Sequence, residues 1–241
     1  MAVLLCIESA AEVCSVALAR NGEVLACEES RGERDHAKLL ALLIDKIFST
    51  AGVGAQELDA VAVSQGPGSY TSLRIGVSTA KGLCYGAGKP LIAVGSLQSL
   101  AALALQQHEV RPTDLLCPML DARRMEVYTA LYTAQGVPQT EVTAKIVTED
   151  SFSDILKNQR VLFFGSGAEK CREVLQSGNA EFLSVQASAR GMVQLAEQKF
   201  AQRQFEDVAY FEPFYLKDFV AVKAVKNCFE KHLHTDITRA E

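Results

Sequence analysis

Hydrophobic and polar positions in the first thirty residues follow the pattern of three short strands. Residues 3–7 are mostly apolar and predict a buried strand. Residues 12–20 alternate with a period of two. Residues 23–29 return after Asn21-Gly22, a strong signal for a hairpin turn. The chain is therefore predicted to begin with three antiparallel strands.

The next segment has apolar residues at helical spacing. A helix is predicted over residues 35–48, and nine of the thirteen residues from 36 to 48 are apolar. A surface helix needs an apolar stripe of only about 100°. This helix is therefore buried on two sides within its own domain, or it packs on its sheet with one side and on a second protein with the other. The pattern favours neither alternative.

The same patterns predict the remaining elements. A strand at 58–63, a helix at 71–85, a strand at 90–94 and a helix at 97–107 complete a βββαβαβα order. The later elements are strands at 115–121, 126–133 and 160–164, and helices at 150–158, 169–175, 187–200 and 216–229.

Residues 108–113, which include Arg111-Pro112, form the best candidate for a domain boundary. We therefore predict an N-terminal domain over residues 1–107 and a C-terminal domain over residues 108–215. A final helix and tail would occupy residues 216–241. Periodicity leaves open whether this last part packs back on the N-terminal domain.

A strand, a tight turn and a helix meet at Gly66-Pro67-Gly68. The two glycines allow backbone angles that are closed to other residues. Ser69 or Thr71 can cap the helix that follows. Free N–H groups at such a helix start can bind an anion, but a well-capped junction without a ligand has the same pattern.

The helix predicted at residues 71–85 carries small side chains at four-residue spacing: Ser72, Gly76, Ala80 and Cys84. Residues four apart share one face of a helix, so a second helix can approach this face closely. Gly86 and Gly88 are predicted to end the helix as left-handed caps.

Composition and charge limit the classes of function. The chain is 49% hydrophobic and 22% charged, with a net charge of −5. A protein that binds nucleic acid by itself usually has a basic stripe. Here the basic residues cluster only near the C-terminus, among acidic ones, so a nucleic-acid role would need a partner. No apolar run approaches the ~20 residues of a membrane helix, so no membrane contact is predicted. The seven cysteines are odd in number and no signal-peptide pattern occurs, which predicts a cytoplasmic protein with reduced thiols.

Local motifs do not distinguish an enzyme from a binding protein. The four histidines, at positions 36, 108, 232 and 234, are scattered, so no metal site is predicted. Walker and dinucleotide fingerprints and a G-x-S-x-G motif do not occur. The Gly165-x-Gly167 pair after a strand is more often a simple turn.

Four blocks of sequence resemble the TsaB family, also called YeaZ, of bacterial proteins in the pathway that makes threonylcarbamoyladenosine in tRNA. The blocks are residues 7–18, 34–40, 66–76 and 120–128. The third block is the most specific. Glu8, where the family commonly has Asp, and Ser72, where it usually has Gly, depart from the family pattern.

The resemblance implies an α/β protein with an actin-like, sugar-kinase-like (ASKHA) fold, built from two βββαβαβα-type domains with mixed sheets. It also implies that the chain has no catalytic or metal-binding residues of its own. Ser96 and Leu100 occupy the positions of the His-x-x-x-His metal pair of the sister family TsaD. The first strand turn, residues 8–11, lacks the glycines of the phosphate-binding turn in active members.

The function implied by the resemblance is that of a non-catalytic subunit. It would bind and activate TsaD for threonylcarbamoyl transfer to adenosine 37 of tRNAs that read codons beginning with A. Implied partners are TsaD, the ATPase TsaE through the TsaB–TsaD complex, tRNA only through the complex, and a second copy of the chain when TsaD is absent. The alternative is a stand-alone enzyme, either an ATP-dependent phosphotransferase or a glycoprotease-like peptidase.

The resemblance assigns two groups of residues. The partner interface comprises two helix faces: His36, Leu39, Leu40, Leu43, Ile47, Ser72, Ile75, Gly76, Thr79, Ala80, Leu83 and Cys84. The structural turn of the motif comprises Gly66, Pro67, Gly68, Ser69, Thr71 and Arg74. No cofactor of its own is implied, and the cofactor-binding residues are unknown. Whether ATP or ADP binds at the interface of the complex stays open.

Overall fold

The computed structural model describes residues 2–30 and 36–217 of the 241-residue chain. Its strands are β1 (Val3–Glu8), β2 (Ser15–Arg20), β3 (Glu23–Glu29), β4 (Ala60–Gly66), β5 (Leu91–Gly95), β6 (Leu115–Asp121), β7 (Glu126–Thr129), β8 (Tyr132–Thr133), β9 (Thr143–Ile146), β10 (Val161–Phe164) and β11 (Ala180–Phe182). Its helices are α1 (His36–Ala51), α2 (Tyr70–Ala87), α3 (Ser96–Gln107), α4 (Ser153–Leu156) and α5 (Val193–Ala201). Short 3₁₀ turns occupy Ala55–Glu57, Glu169–Cys171 and Ala189–Met192.

The strands form two mixed sheets with the same topology. The first has the order β3-β2-β1-β4-β5, and the second has the order β9-β7-β6-β10-β11, with β8 paired to β6. Strands β3, β2 and β1 of the first sheet and β9, β7 and β6 of the second pair antiparallel. The order then continues in parallel, from β1 to β4 and β5 and from β6 to β10 and β11. The second sheet therefore repeats the architecture of the first.

β1 lies at the centre of the first sheet and is buried on both faces. Leu5 and Ile7 pack on one side, beneath α1 and α2, and Leu4 and Cys6 pack on the other. A strand covered on both faces needs a nearly continuous apolar run. This burial explains why the first strand contains no alternation of apolar and polar residues. The run ends at Glu8, at the carboxyl edge of the sheet.

Helices cover both faces of the first sheet and link it to the second. α1 and α2 lie on one face. α5 and the 3₁₀ turn before it cover the opposite face, where Met192, Val193 and Ala196 join the core of the first sheet. α3 packs on the second sheet through Leu97 and Leu100. Helix α5, from the second half of the chain, thus completes the core around the first sheet. The domain division at residue 108 stays a proposal.

The first half follows the predicted order of elements, with ends shifted by up to three residues. The second strand begins at Ser15 and not at residue 12. It is shorter because Cys14 leaves the ladder to exchange hydrogen bonds with Ser30, donating its N–H to Ser30 Oγ at 2.9 Å. Gly88 is the left-handed cap of α2, as predicted, with φ of 65°. Gly86 lies inside the helix, so its assignment as a cap is wrong.

The prediction of one strand over residues 126–133 is wrong. The run divides into β7 and β8. The break occurs because Leu131 accepts a hydrogen bond from the Gln139 N–H at 2.7 Å and donates its own N–H to Thr140 Oγ1 at 2.9 Å. Gln139 and Thr140 lie outside the predicted elements, so the local hydrophobic pattern of residues 126–133 does not predict this break. Strands β9 and β11 were not predicted either.

The predicted helices of the second half are shorter than expected. Only α4 forms within residues 150–158, because Phe152 has a left-handed backbone with φ of 62°. Residues 169–175 contain a single 3₁₀ turn. The helix predicted from residue 187 begins at Val193 after another 3₁₀ turn.

The prediction for residues 216–229 falls almost entirely on residues after 217, outside the part of the chain that the structure describes. The proposed packing of residues 216–241 on the N-terminal domain lies outside it for the same reason.

Candidate partner-binding surface

The turn Gly66-Pro67-Gly68 is packed against another part of the same chain. The Gly66–Pro67 peptide bond is cis, and Gly66 has φ of 113°. A Cβ atom added to Gly68 would lie 2.7 Å from Ala10 Cβ, so no larger residue fits there. The Ser69 N–H donates to the Ala10 carbonyl at 2.8 Å. This bond ties the N-cap residue of α2 to the turn after β1.

The first turn of α2 holds aromatic and cationic side chains together. The Tyr70 and Tyr215 ring centroids are 4.6 Å apart. The Arg74 guanidinium lies 5.5 Å from the Tyr70 centroid, and its Nη1 donates to the Tyr70 hydroxyl at 3.1 Å. Ser69 occupies the N-cap position without a side-chain cap bond; its Oγ accepts from Ser72 at 2.9 Å. Thr71 is exposed.

A buried polar cluster lies beneath the turn at the end of β1. Glu8 is fully buried, and this burial raises the pKa of its carboxyl to about 7. Glu8 Oε1 accepts the Ala10 N–H at 2.7 Å, and Ser64 Oγ accepts the Ser9 N–H at 3.1 Å. Glu8 Oε2 and Ser9 Oγ have no hydrogen-bond partner among residues 2–30 and 36–217. The cluster is closed off by its own fold, since the side chains of all three polar residues are buried.

The small residues assigned to the interface on α2 lie inside the domain, which corrects the assignment. Gly76, Ala80 and Cys84 are buried and face the first sheet. A Cβ atom on Gly76 would lie closer than 3.0 Å to Ser9 Oγ. The stripe therefore lets α2 approach β1 and β4 of the same chain, and these residues are not available to a partner.

The residues of α1 assigned to the interface divide in the same way. Leu40 and Ile47 are buried in the core with the first sheet. Leu39 and Leu43 are half-buried, and the neighbouring Leu42, which was not assigned, is 64% exposed. His36 is the first residue of α1. The available apolar surface of α1 thus centres on Leu42.

The outward face of α2 is also built from small residues. Ser78, Gly82 and Gly86 are exposed at four-residue spacing, and Tyr85 beside them is 89% exposed. Beside this face lie four half-buried residues of the original assignment: Ser72, Ile75, Thr79 and Leu83. A Cβ atom at Gly82 or Gly86 would meet no atom within 4 Å. We call Leu42, Ser78, Gly82, Tyr85 and Gly86 the outer helix surface.

Sequence reasoning missed this outer stripe although its spacing equals that of the inner one. The signal that separates them is the position of the large apolar residues of α2. Leu73 and Val77 are buried and adjoin Gly76, Ala80 and Cys84 on the helix. They mark the inner stripe as the core face and leave Gly82 opposite.

Within residues 2–30 and 36–217, three or more His, Cys, Asp or Glu side chains nowhere gather in a group able to hold a metal ion. In the same part of the chain, no helix has the length and apolar character needed to span a membrane.

Two sheets of identical strand order, each with three antiparallel and two parallel neighbours, define an actin-like, sugar-kinase-like (ASKHA) fold. A family model described as TsaD, tRNA N6-adenosine threonylcarbamoyltransferase, matches residues 23–225. The chain is 31% identical to the Escherichia coli tRNA threonylcarbamoyladenosine biosynthesis protein TsaB, over 91% of this chain and 96% of that protein. It therefore belongs to the TsaB family, also called YeaZ.

Two further comparisons agree with this membership. TsaB of Haemophilus influenzae is 27% identical over 91% of this chain and 95% of its own length. The structure of YeaZ from Pseudomonas aeruginosa superposes with a TM-score of 0.74 and 26% identity, over 90% of this chain and all of that one.

Proposed function

We propose that this chain is a non-catalytic subunit that binds and activates TsaD for threonylcarbamoyl transfer to adenosine 37 of tRNA. The relatives in Escherichia coli and Haemophilus influenzae are named as tRNA threonylcarbamoyladenosine biosynthesis proteins. That naming supports a role in the same pathway. The outer helix surface supports the role of a binding partner.

The observation that carries the proposal is the pair of glycines on the exposed face of α2. A glycine inside a helix costs about 1 kcal/mol relative to alanine. Gly82 and Gly86 lie within α2, and no atom of the described chain lies within 4 Å of the Cβ that either position lacks. Intramolecular packing therefore does not require glycine there. Close approach by a helix of another protein does, because only small residues let two helix backbones come together.

The surroundings of the outer stripe fit a protein interface. Tyr85 is large and exposed and adjoins the small residues of the outer stripe on α2. Leu42 adds a large exposed apolar side chain on α1, the helix that packs beside α2. Aromatic side chains such as that of Tyr85 are common among the residues that dominate binding energy. TsaD is the proposed occupant, and a second copy of the chain would occupy the same surface when TsaD is absent.

The positions that correspond to the metal-binding histidines of TsaD have structural roles here. Ser96 is buried and its Oγ accepts the Gly66 N–H at 3.1 Å. Leu100 is 1% exposed in the core between α3 and the second sheet. Neither the Ser96 hydroxyl nor the aliphatic Leu100 side chain replaces a metal-binding histidine. This supports the proposal that catalysis belongs to TsaD. TsaE would join through the TsaB–TsaD complex.

Replacing Gly82 with leucine tests the interface. Because a Cβ at this position meets no atom of residues 2–30 and 36–217 within 4 Å, we expect Gly82→Leu to fold normally and to be up to about 1 kcal/mol more stable than the wild type. The added side chain separates the two helices, so association with TsaD should weaken at least tenfold. Size-exclusion chromatography and calorimetric titration with TsaD measure the association, and urea unfolding measures the stability.

Gly82→Ala is the matched control, since it makes the same gain in helix propensity with one carbon. It should bind TsaD more tightly than Gly82→Leu does. Reconstituted tRNA modification should require the wild-type chain in addition to TsaD and should be lost with Gly82→Leu. Wild-type affinity of a folded Gly82→Leu chain for TsaD would rule out this surface.

A further inference from the structure

The loop between β6 and β7 presents two arginines in an unusual backbone conformation. Arg123 has φ of 73° and Arg124 has φ of 52°. Left-handed backbone is uncommon for residues other than glycine, and two in succession are rarer still. Both side chains are exposed. Within the described part of the chain, neither guanidinium has a hydrogen bond or an ion pair.

Ion pairs fix the base of this loop and leave its tip positively charged. Lys170 pairs with Asp121 and also donates to the Glu126 carbonyl at 2.7 Å. Lys217 pairs with Glu126. Asp121 Oδ1 accepts the Arg123 N–H at 3.2 Å, which helps to hold the turn. Both carboxylates of the loop therefore have a lysine partner, and the charges of the two arginines are not compensated.

The loop lies at the carboxyl end of β6, near the turn that begins α2. The Phe214 N–H donates to the Gln65 carbonyl beside that turn at 2.7 Å. Three residues later, Lys217 reaches Glu126 at the base of the loop. Three residues span at most about 10 Å. Residues 214–217 therefore connect the turn before α2 with the base of the arginine loop.

The side chains at the tip have the chemistry of a phosphate-binding site. Guanidinium groups bind phosphate oxygens through two parallel hydrogen bonds. Ala122 and Met125, which flank the arginines, are half-buried, and Met125 packs on the core of the second sheet. A protein partner would need exposed apolar side chains at the centre of its contact. The tip offers only the two cations, which favours a polyanion.

We infer that Arg123 and Arg124 bind the phosphodiester backbone of RNA. This inference rests on the proposed function, in which tRNA reaches the chain through its complex with TsaD. The net charge of −5 is consistent with a contribution of two phosphate contacts to a larger site, and not with strong binding by the chain alone. Backbone contacts of this kind position an RNA without reading its sequence.

The test uses the double variant Arg123→Gly/Arg124→Gly. Glycine accepts left-handed backbone without strain, so the variant should fold at least as well as the wild type. The probe is a fluorescently labelled, unmodified tRNA transcript titrated with the complex of chain and TsaD. At 0.1 M salt we expect at least about tenfold weaker binding, and the slope of log K against log salt should become shallower by about 1.4–1.8.

Arg203→Gly is the matched control. Arg203 is also an exposed, left-handed arginine, with φ of 54°, but it follows α5. This variant should bind the transcript as the wild type does, and Arg123→Lys/Arg124→Lys should retain most of the salt slope. Unchanged affinity and slope in the double glycine variant, or an equal loss with Arg203→Gly, would overturn the assignment.

Complex formation separates this inference from the proposed function. The double glycine variant should still co-elute with TsaD. Loss of co-elution with unchanged tRNA affinity would assign the arginines to a protein contact and overturn the RNA assignment. If the wild-type chain itself forms no complex, the proposed function fails. Titration of the transcript with the chain alone at 50 mM salt then decides the inference, and an unchanged slope in the variant refutes it.

Discussion

Replacing Gly76 with leucine is expected to abolish stable folding of the chain. A Cβ atom at this position would lie 3.0 Å from Ser9 Cβ and closer still to Ser9 Oγ. Both atoms belong to the buried turn after β1, which α2 and the Gly68 turn hold in place. α2 would have to move away from the sheet and expose Val77 and Ala80. Overpacking usually costs about 1–3 kcal/mol per site and more when the backbone must move, so we expect a loss of at least about 3 kcal/mol.

Urea unfolding of purified protein, or the yield of folded protein where the variant is too unstable, measures this effect. Gly82→Leu is the internal control, because it makes the same substitution six residues further along the same helix, on the exposed face. The contrast between the two variants reports which face of α2 lies against the sheet. Equal stability of Gly76→Leu and the wild type would show that the packing described for Ser9 is wrong.

The Glu8 carboxyl is expected to make the chain less stable as the pH rises. Burial raises its pKa from 4.5 to about 7 in the folded chain. Between these two values the unfolded chain releases the proton while the folded chain keeps it, so the free energy of unfolding falls with increasing pH. One pKa unit corresponds to about 1.4 kcal/mol. The full effect, reached above pH 7, is therefore about 3 kcal/mol.

Glu8→Gln removes this titration while it keeps the shape of the side chain. We expect the variant to match the wild type near pH 4.5 and to be more stable than the wild type at pH 8, by up to about 3 kcal/mol. Urea midpoints measured from pH 4.5 to 8.5 test this, with Glu23→Gln, an exposed position on β3, as the control. If Glu8→Gln and the wild type have parallel pH profiles, the carboxyl does not titrate near neutral pH.

Much of the first sheet and its helices α1 and α2 follows from local signals. Each of its strands is an apolar or alternating run, and Asn21-Gly22 and Gly88 have the left-handed backbone that their turns require. The resemblance to TsaB, carried mainly by residues 66–76, anticipated the family. Residues 108–215 follow less from local signals because their strand and helix breaks depend on remote contacts. Leu131 leaves the strand to bond with Thr140, and α5 leaves its own half of the chain to cover the first sheet.

The residue pattern of α2 established that a helix follows the Gly68 turn and that small residues recur along it. The four-residue repeat by itself did not establish which of the two small stripes meets the sheet, since both stripes have it, and only the positions of Leu73 and Val77 distinguish them. That choice depends on the rotation of the helix about its axis. Leu73 and Val77 turn toward the core, and the turn at Ser9, far away in the sequence, leaves room only for a glycine at position 76. Gly82 is exposed as a result, because the opposite face of a helix cannot be buried against the same sheet.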